Sequence, residues 1–187
     1  MPNELEAKMK VDTFDSVRAA LATVGAKRTG SVLETNTFFD TPRKTLVSND
    51  SGLRLRRTRD DQTGARRFII TVKGPQQSGD LKNRPESEVV VEDGDDAKSV
   101  LEALGYSPTL TFEKRRESWT LDDCKIELDE LPVLGKFVEI EGPGEKAVMA
   151  VRERLGMKDA VLIRTGYATM LAKHLKESNE SRISITF

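Results

Sequence analysis

The segment Glu4-Leu5-Glu6-Ala7-Lys8 decides the fold, because charged and apolar side chains alternate along it without a break. Side chains two residues apart on a β-strand point to the same face of a sheet. An ordinary half-buried strand alternates apolar with polar residues, whereas here every polar position carries a formal charge. The segment is therefore predicted to be a strand with one charged face and one apolar face.

Five further segments repeat this alternation. Their charged pairs are Arg54 and Arg56, Glu86 and Glu88, Lys114 and Arg116, Glu127 and Asp129, and Glu139 and Glu141. A single pair is explained by a face that meets water, but six together favour charged faces that line one interior. The pattern predicts an α+β fold, a closed or nearly closed antiparallel barrel with helices packed outside. Charges inside such a barrel coexist only if they are paired with each other or occupied by ligand and metal.

Four segments have the apolar spacing of amphipathic helices. They are residues 13–24, 95–104, 144–155 and 166–177. Asp12 is the expected N-cap of the first helix and Gly25 its stop. The run Gly142-Pro143-Gly144 is predicted to be a turn from a strand into the third helix rather than an anion-binding loop.

Composition excludes several classes of function. The 187 residues include 30 basic and 31 acidic side chains, a net charge of −1, which gives no bulk attraction to nucleic acid or to an anionic membrane. No apolar run approaches the roughly 20 residues that span a bilayer, and the first residues lack the pattern of a secretory signal. We expect one cytoplasmic domain over residues 1–187, and a homodimer remains open.

One histidine, His174, and one cysteine, Cys124, exclude an internal disulfide, a cysteine-rich zinc site and histidine-rich metal sites.

The remaining chemistry depends on lysine, arginine and carboxylates. The candidate inward-facing bases are Lys8, Arg54, Arg56, Lys73, Arg84, Lys114 and Arg116. Converging cations suit a polyanion, and the arginine fork suits phosphoryl oxygens. The candidate acids are Glu4, Glu6, Asp129, Glu139 and Glu141, whose oxygens suit Mg²⁺ or Mn²⁺. Together the two sets indicate phosphoryl or nucleotidyl transfer.

The same residues resemble the CYTH superfamily, which contains class IV adenylyl cyclases, thiamine triphosphatases and inorganic triphosphatases. Its Glu-x-Glu-x-Lys signature is matched at residues 4–8, and the later blocks follow in the family's order over roughly residues 3–175. These blocks are Asn36–Pro42, Leu53–Arg56, Thr71–Pro75, Arg84 with Glu86 and Glu88, Glu113–Arg116, Leu128-Asp129 and Gly135–Glu141. Leu104–Pro108 and the segment from Arg164 to Leu171 are similar to the class IV cyclase branch.

The resemblance implies a triphosphate tunnel, an antiparallel barrel of eight strands. The bases implied to hold the phosphates are Lys8, Arg54, Arg56, Lys73, Lys114 and Arg116, with Arg84, Glu86 and Glu88 lining the tunnel; Lys8, Lys114 and Arg116 are also the implied catalytic residues. The acids implied to hold Mg²⁺ or Mn²⁺ are Glu4, Glu6, Asp129, Glu139 and Glu141. Phe38 stands where thiamine-type triphosphatases have a tyrosine that partners the signature lysine, so that dyad is not expected here.

The favoured expectation is a metal-dependent enzyme that converts ATP into cyclic AMP and pyrophosphate. The alternative is hydrolysis of tripolyphosphate or of a nucleoside triphosphate, which would use the same phosphate contacts. A third alternative is a catalytically silent polyphosphate- or nucleotide-binding module. Such a module should have lost one of the metal acids or phosphate bases, and none is missing from the sequence.

Overall fold

A computed structural model describes residues 3–180 and 183–187, with side chains from Leu5 onward. Its eight long strands are β1 (Asn3–Val11), β2 (Lys27–Asp40), β3 (Gly52–Asp60), β4 (Arg66–Lys73), β5 (Lys82–Val91), β6 (Ser107–Leu121), β7 (Cys124–Leu131) and β8 (Gly135–Glu141). They pair antiparallel in the order β2-β3-β4-β5-β1-β8-β7-β6, and pairing of β2 with β6 closes the ring. A two-residue strand, β9 (Ser184–Ile185), adds parallel to β6. The predicted closed antiparallel barrel is confirmed.

The strand register places the alternating charges on the inner face. Lys8 lies opposite Glu139, and Glu139 lies opposite Glu127 on the next strand. Around Lys8 and Glu139 the intervening positions point outward and are apolar, and Met9 and Ile140 among them are fully buried under helices. Apolar burial outside the barrel thus offsets the cost of placing charges inside it.

The four predicted helices are all present. They are α1 (Asp15–Thr23), α3 (Gly94–Ala103), α4 (Glu145–Arg154) and α5 (Tyr167–Glu177), and a short α2 (Thr45–Ser48) lies in the β2–β3 connection. The prediction of Asp12 as N-cap of α1 is wrong, because Phe14 takes that position without a side-chain cap, and the Thr13 hydroxyl accepts from the backbone N–H of Asp15. Gly25 ends α1 in the left-handed conformation, as expected.

The helices divide between the two faces of the barrel wall. Helices α1 and α4 cover the outer face of β1, β7 and β8, and α3 packs on β3 and β4. Helix α5 instead packs Leu171 and Leu175 against Leu110, Phe112 and Phe137, which share the inner face with the charged residues further along their strands. Because these inward-facing residues are apolar, α5 closes that part of the barrel and brings Tyr167 to its interior.

The turn at Gly142-Pro143-Gly144 leads from β8 into α4, as predicted. A Cβ at Gly142 would lie 2.7 Å from the Cys124 sulfur and 3.0 Å from Cγ2 of Val148, inside the core beneath α4. No other residue type therefore fits this position without displacing its neighbours.

We expect Gly142→Ala to destabilise the protein by about 1–3 kcal/mol through overpacking. Tm should fall by roughly 2–4 °C per kcal/mol, measured by circular dichroism. Gly30→Ala is the matched control, because a Cβ at Gly30 would meet nothing within 4 Å. Equal melting temperatures for the two variants would contradict the close packing at Gly142.

Candidate active site

A cavity of about 910 Å³ lies inside the barrel and is lined by inner-face residues and by the start of α5. All seven predicted bases line it: Lys8, Arg54, Arg56, Lys73, Arg84, Lys114 and Arg116. Among the predicted acids, Glu6, Glu139 and Glu141 line it, Asp129 is fully buried beside Arg116, and the side chain of Glu4 lies outside the described residues. The register predicted from the sequence therefore brings the described candidates together.

Lys8 lies between two carboxylates. Its Nζ is 3.4 Å from Glu139 and 3.6 Å from Glu6, and it donates to the backbone carbonyl of Thr165 at 3.0 Å. Lys8 is only 1% exposed. Lys82, which sequence reasoning missed, contacts Glu6 at 2.8 Å. The period-two pattern extends back from Arg84 to Lys82, and this was the signal that could have found it.

Asp129 is the most heavily bonded carboxylate of the cavity wall. Arg116 donates to its two oxygens at 2.7 and 2.6 Å, and Lys114 donates at 3.0 Å. Arg116 also reaches Glu139 at 2.6 Å. Burial alone would lower the pKa of Arg116, but Asp129, and then Glu34 and Glu127, raise it well above the usual range. Arg116 is thus a fixed positive charge at the centre of the site.

Glu34 is a buried acid of the site, like Asp129, but sequence reasoning did not select it. It is 2% exposed and lies 3.3 Å from both Arg56 and Lys114. Burial would raise its pKa, but Arg56, Lys114 and Arg116 together hold it well below the ordinary value. Glu34 therefore stays ionised and neutralises the arginine and lysine beside it.

Arg54 has unused hydrogen-bonding capacity. Its terminal nitrogen donates to Thr71 at 2.9 Å and to Glu88 at 3.2 Å, whereas its buried Nε has no hydrogen-bond partner among the described atoms. Burial, and then the charge of Arg56, lower the pKa of Arg54 to about 10. A guanidinium short of partners in a cavity is ready to bind an anion.

Lys73 and Arg84 are held by other partners. Lys73 pairs with Glu86 at 2.5 Å. Arg84 donates to the backbone carbonyls of Gly74 at 2.8 Å and Asp50 at 2.5 Å. Arg84 also contacts the exposed carboxylate of Asp50 at 3.3 Å, so it too is paired with an acidic side chain.

Tyr167 of α5 enters the charged part of the cavity. Its hydroxyl donates to Asp129 at 3.2 Å, and its ring lies under the Lys8 ammonium at 4.3 Å and the Lys114 ammonium at 5.3 Å. Burial, and then Glu139 and Asp129, raise the pKa of Tyr167 well above its usual value, so the phenol stays protonated. Tyr167 falls in the predicted helix 166–177 and in the segment from Arg164 to Leu171 that is similar to the class IV cyclase branch, but neither pattern gave it a role in the site, because helical spacing does not distinguish a core residue from one that enters a site.

The carboxylates of the site suit a hard divalent cation by their chemistry, although Glu6, Asp129 and Glu139 are each held by lysine or arginine. Among residues 5–180 and 183–187, no three His, Cys, Asp or Glu side chains converge as a ready-made metal cage. Glu6 and Glu139 both contact Lys8, and Glu141 lies opposite Glu6 on the neighbouring strand. These oxygens fit Mg²⁺ or Mn²⁺ once their lysine or arginine partners bind another anion.

Known proteins share the sequence and the fold of this chain. The CYTH domain model matches residues 2–167. "Putative adenylate cyclase MJ0240" of Methanocaldococcus jannaschii is 29% identical over 159 residues, which are 85% of this chain and 83% of that protein. Adenylate cyclase CyaB of Aeromonas hydrophila is 29% identical over 190 residues, 95% of this chain and 93% of that protein. The solved structure of HpAC1 from Hippeastrum, described as a putative adenylyl cyclase with a dominant triphosphatase activity, superimposes with a TM-score of 0.71 at 16% identity, covering 96% of this chain and 97% of that one.

Acid should destabilise the protein partly through Glu34. The folded-state pKa of Glu34 lies well below its ordinary 4.5, so its contribution is complete above about pH 5 and is lost progressively as the pH falls through about 4 and below. Glu34→Gln should cost about 3–5 kcal/mol at neutral pH, since it leaves buried cations without their partner. Its urea unfolding free energy should also fall less than that of the wild type between neutral and acidic pH.

The control for this experiment is Glu102→Gln, a substitution at a half-exposed carboxylate of α3. It should follow the wild type at both pH values. If Glu34→Gln also followed the wild type, the assignment of Glu34 as a buried counter-ion would be contradicted.

Proposed function

This chain belongs to the CYTH family, and on that premise we propose that it is a divalent-metal-dependent enzyme that acts on a triphosphate. The favoured reaction is conversion of ATP into cyclic AMP and pyrophosphate. The observation that carries the proposal is the set of buried and half-buried lysines and arginines around one cavity. A polyanion is the ligand class that repays the cost of burying so many cations.

Phosphate binding would proceed by exchange of ion pairs. Arg54, with its unpartnered Nε, and Arg56 would bind phosphate oxygens through their planar forks. As a phosphate oxygen replaces Glu139 beside Lys8, that carboxylate loses one of its two counter-ions and keeps the other, Arg116. Binding of the triphosphate and binding of a divalent cation are therefore expected to favour each other.

The carboxylates that would hold Mg²⁺ or Mn²⁺ are Glu6 and Glu139, with Glu4, Asp129 and Glu141 near them in the strand register. When bound, the metal supplies a Lewis acid for the attacking hydroxyl and the phosphates. Lys8, Lys114 and Arg116 would neutralise the negative charge that develops on the departing pyrophosphate. Their burial makes this stabilisation stronger than it would be in water.

Hydrolysis of tripolyphosphate or of a nucleoside triphosphate is the second candidate. One reason in its favour is that the charged side chains described above would bind only the phosphates of a substrate. The other is the triphosphatase activity described for HpAC1, a structural neighbour. A non-catalytic binding module is the third candidate. Against it, every described phosphate base and metal acid lies in or beside the cavity.

The decisive assay incubates the purified protein with ATP and separately with tripolyphosphate, in Mg²⁺, Mn²⁺ or EDTA. We expect cyclic AMP and pyrophosphate from ATP with either metal, and no turnover in EDTA, because clustered carboxylates need a cation to act. Free phosphate instead of cyclic AMP would establish the triphosphatase. Absence of any product would favour the binding module, and full activity in EDTA would overturn the metal assignment.

Arg56 and Arg57 form a matched pair of residues for testing phosphate binding. Arg56 lines the cavity, whereas Arg57 lies on the outer face of β3, exposed and near Thr35. Arg56→Ala should remove a charge-assisted contact worth about 1.5–3 kcal/mol and raise the Kd for tripolyphosphate by roughly 10- to 150-fold. Arg57→Ala should leave Kd unchanged by calorimetry. Equal losses of affinity in the two variants would show that phosphate is not bound specifically by the inward-facing side chains of β3.

A further inference from the structure

The segment that leads into α5, residues 163–165, runs alongside Lys8. The backbone N–H of Ile163 donates to the backbone carbonyl of Lys8 at 2.8 Å, and the backbone carbonyl of Thr165 accepts from the Lys8 ammonium at 3.0 Å. One short segment therefore contacts both the main chain and the side chain of Lys8. Because residues 163–165 belong to no helix or strand, other contacts have to fix their position.

Arg164, the middle residue of this segment, supplies such contacts. A terminal nitrogen of its guanidinium donates to the backbone carbonyl of Gln77 at 2.7 Å. With the side-chain amide oxygen of Gln76 facing Arg164, that oxygen accepts from Nε and from the same terminal nitrogen, each at 2.9 Å. The planar guanidinium thus joins the segment to the connection between β4 and β5 at two acceptors at once, which a single lysine ammonium on a flexible stem would not do with the same geometry.

The connection between β4 and β5 is fixed by contacts of its own. The backbone N–H of Gln76 donates to the Asp50 carboxylate, in the connection between β2 and β3, at 2.6 Å. The backbone N–H of Gln77 donates to the backbone carbonyl of Asn83, at the start of β5, at 2.7 Å. Arg164 therefore binds a part of the chain whose backbone is held independently of α5, so its hydrogen bonds can fix the segment before α5.

We propose that Arg164 is a positioning residue for Lys8, an inference that rests on the proposed function and extends it to a side chain that does not line the barrel cavity. The Thr165 carbonyl lies nearer to the Lys8 ammonium, at 3.0 Å, than do Glu139 at 3.4 Å and Glu6 at 3.6 Å. The carbonyl therefore sets the direction of the ammonium, while the carboxylates balance its charge. Loss of the Arg164 guanidinium leaves every phosphate base in place but lets this carbonyl move.

The first test observes Lys8 directly and needs no turnover. Ammonium ¹H–¹⁵N signals of buried lysines are recorded by NMR, and Lys8→Arg identifies the Lys8 signal by its loss. Arg164→Ala should shift or broaden the Lys8 signal clearly more than the signal of Lys114, which is buried as well and donates to Asp129 at 3.0 Å. No change at Lys8, or equal changes at both lysines, would overturn the positioning role.

The second test separates kcat from KM, with whichever of ATP and tripolyphosphate the wild type turns over. Arg164→Ala should lower kcat about 10- to 100-fold, the loss expected when a reacting group is misplaced by about 1 Å or less. KM should stay nearly unchanged, because the bases that bind the phosphates remain. Arg164→Lys keeps one cationic donor for Gln76 or Gln77 and should recover part of the lost kcat.

The control is Arg154→Ala, which removes an exposed arginine of α4 that contacts Asp122 and donates to the backbone carbonyl of Val24 at 3.4 Å. This variant should keep the kcat of the wild type. Unchanged kcat in Arg164→Ala, an equal fall in Arg154→Ala, or a rise in KM alone would overturn the positioning role. If the wild type turned over neither substrate, the proposed function would fail, whereas the NMR comparison would still decide whether Arg164 fixes Lys8.

Discussion

The rest of the structure depends on pairing of charge inside a closed barrel. Strands that alternate charged and apolar residues have to turn one face inward when the sheet closes, and in this chain the apolar face is the one that the outer helices bury. The charged face is then left in a medium where an unpaired ion costs several kcal/mol. Arg116 shows how this cost is offset, because it contacts both Asp129 and Glu139 at 2.6 Å.

This pairing makes the empty site stable but also responsive to ligand. Apart from Arg54, whose Nε has no partner among the described atoms, each lysine or arginine that would bind a phosphate must first give up an oxygen of a carboxylate, a carbonyl or an amide, so the net gain on binding is smaller than the attraction between the two charges. The released carboxylates then repel one another unless a cation joins them. Lys8, between Glu6 and Glu139, is the point where this exchange is most direct.

The sequence predicted those features that follow from side-chain types repeating every two residues, as in a strand, or every 3.6 residues, as in a helix. It missed those that depend on tertiary contacts. The alternation at Lys8, Arg54 and Arg116 was enough to place their side chains inside a barrel. Glu34 was missed because its neighbours two residues away, Val32 and Asn36, are uncharged, so that no alternation of charge marks it.

The sequence did not predict the short helix α2, and it predicted the wrong N-cap for α1. Both depend on contacts that local helix signals do not describe. Helix α2 has only four residues, and its first turn is held by the Asp40 carboxylate, which accepts from the backbone N–H groups of Leu46 and Val47. Burial would raise the pKa of Asp40, but these backbone donors lower it. Such an anchor six and seven residues away has no counterpart in local helix signals, which consider only the adjacent cap position.

Tyr167 joins helix α5 to the charged network of the cavity. Its hydroxyl is bonded to Asp129, the carboxylate that also holds Arg116 and Lys114, while its ring meets Phe137 edge-on at 5.1 Å within the core that α5 forms with the inner face. The helix that closes the barrel is thus fixed to the same network of charges that lines the cavity. Because protein contacts hold this helix before any ligand arrives, a ligand that bound the network would meet a preorganised site and would not have to order the helix itself.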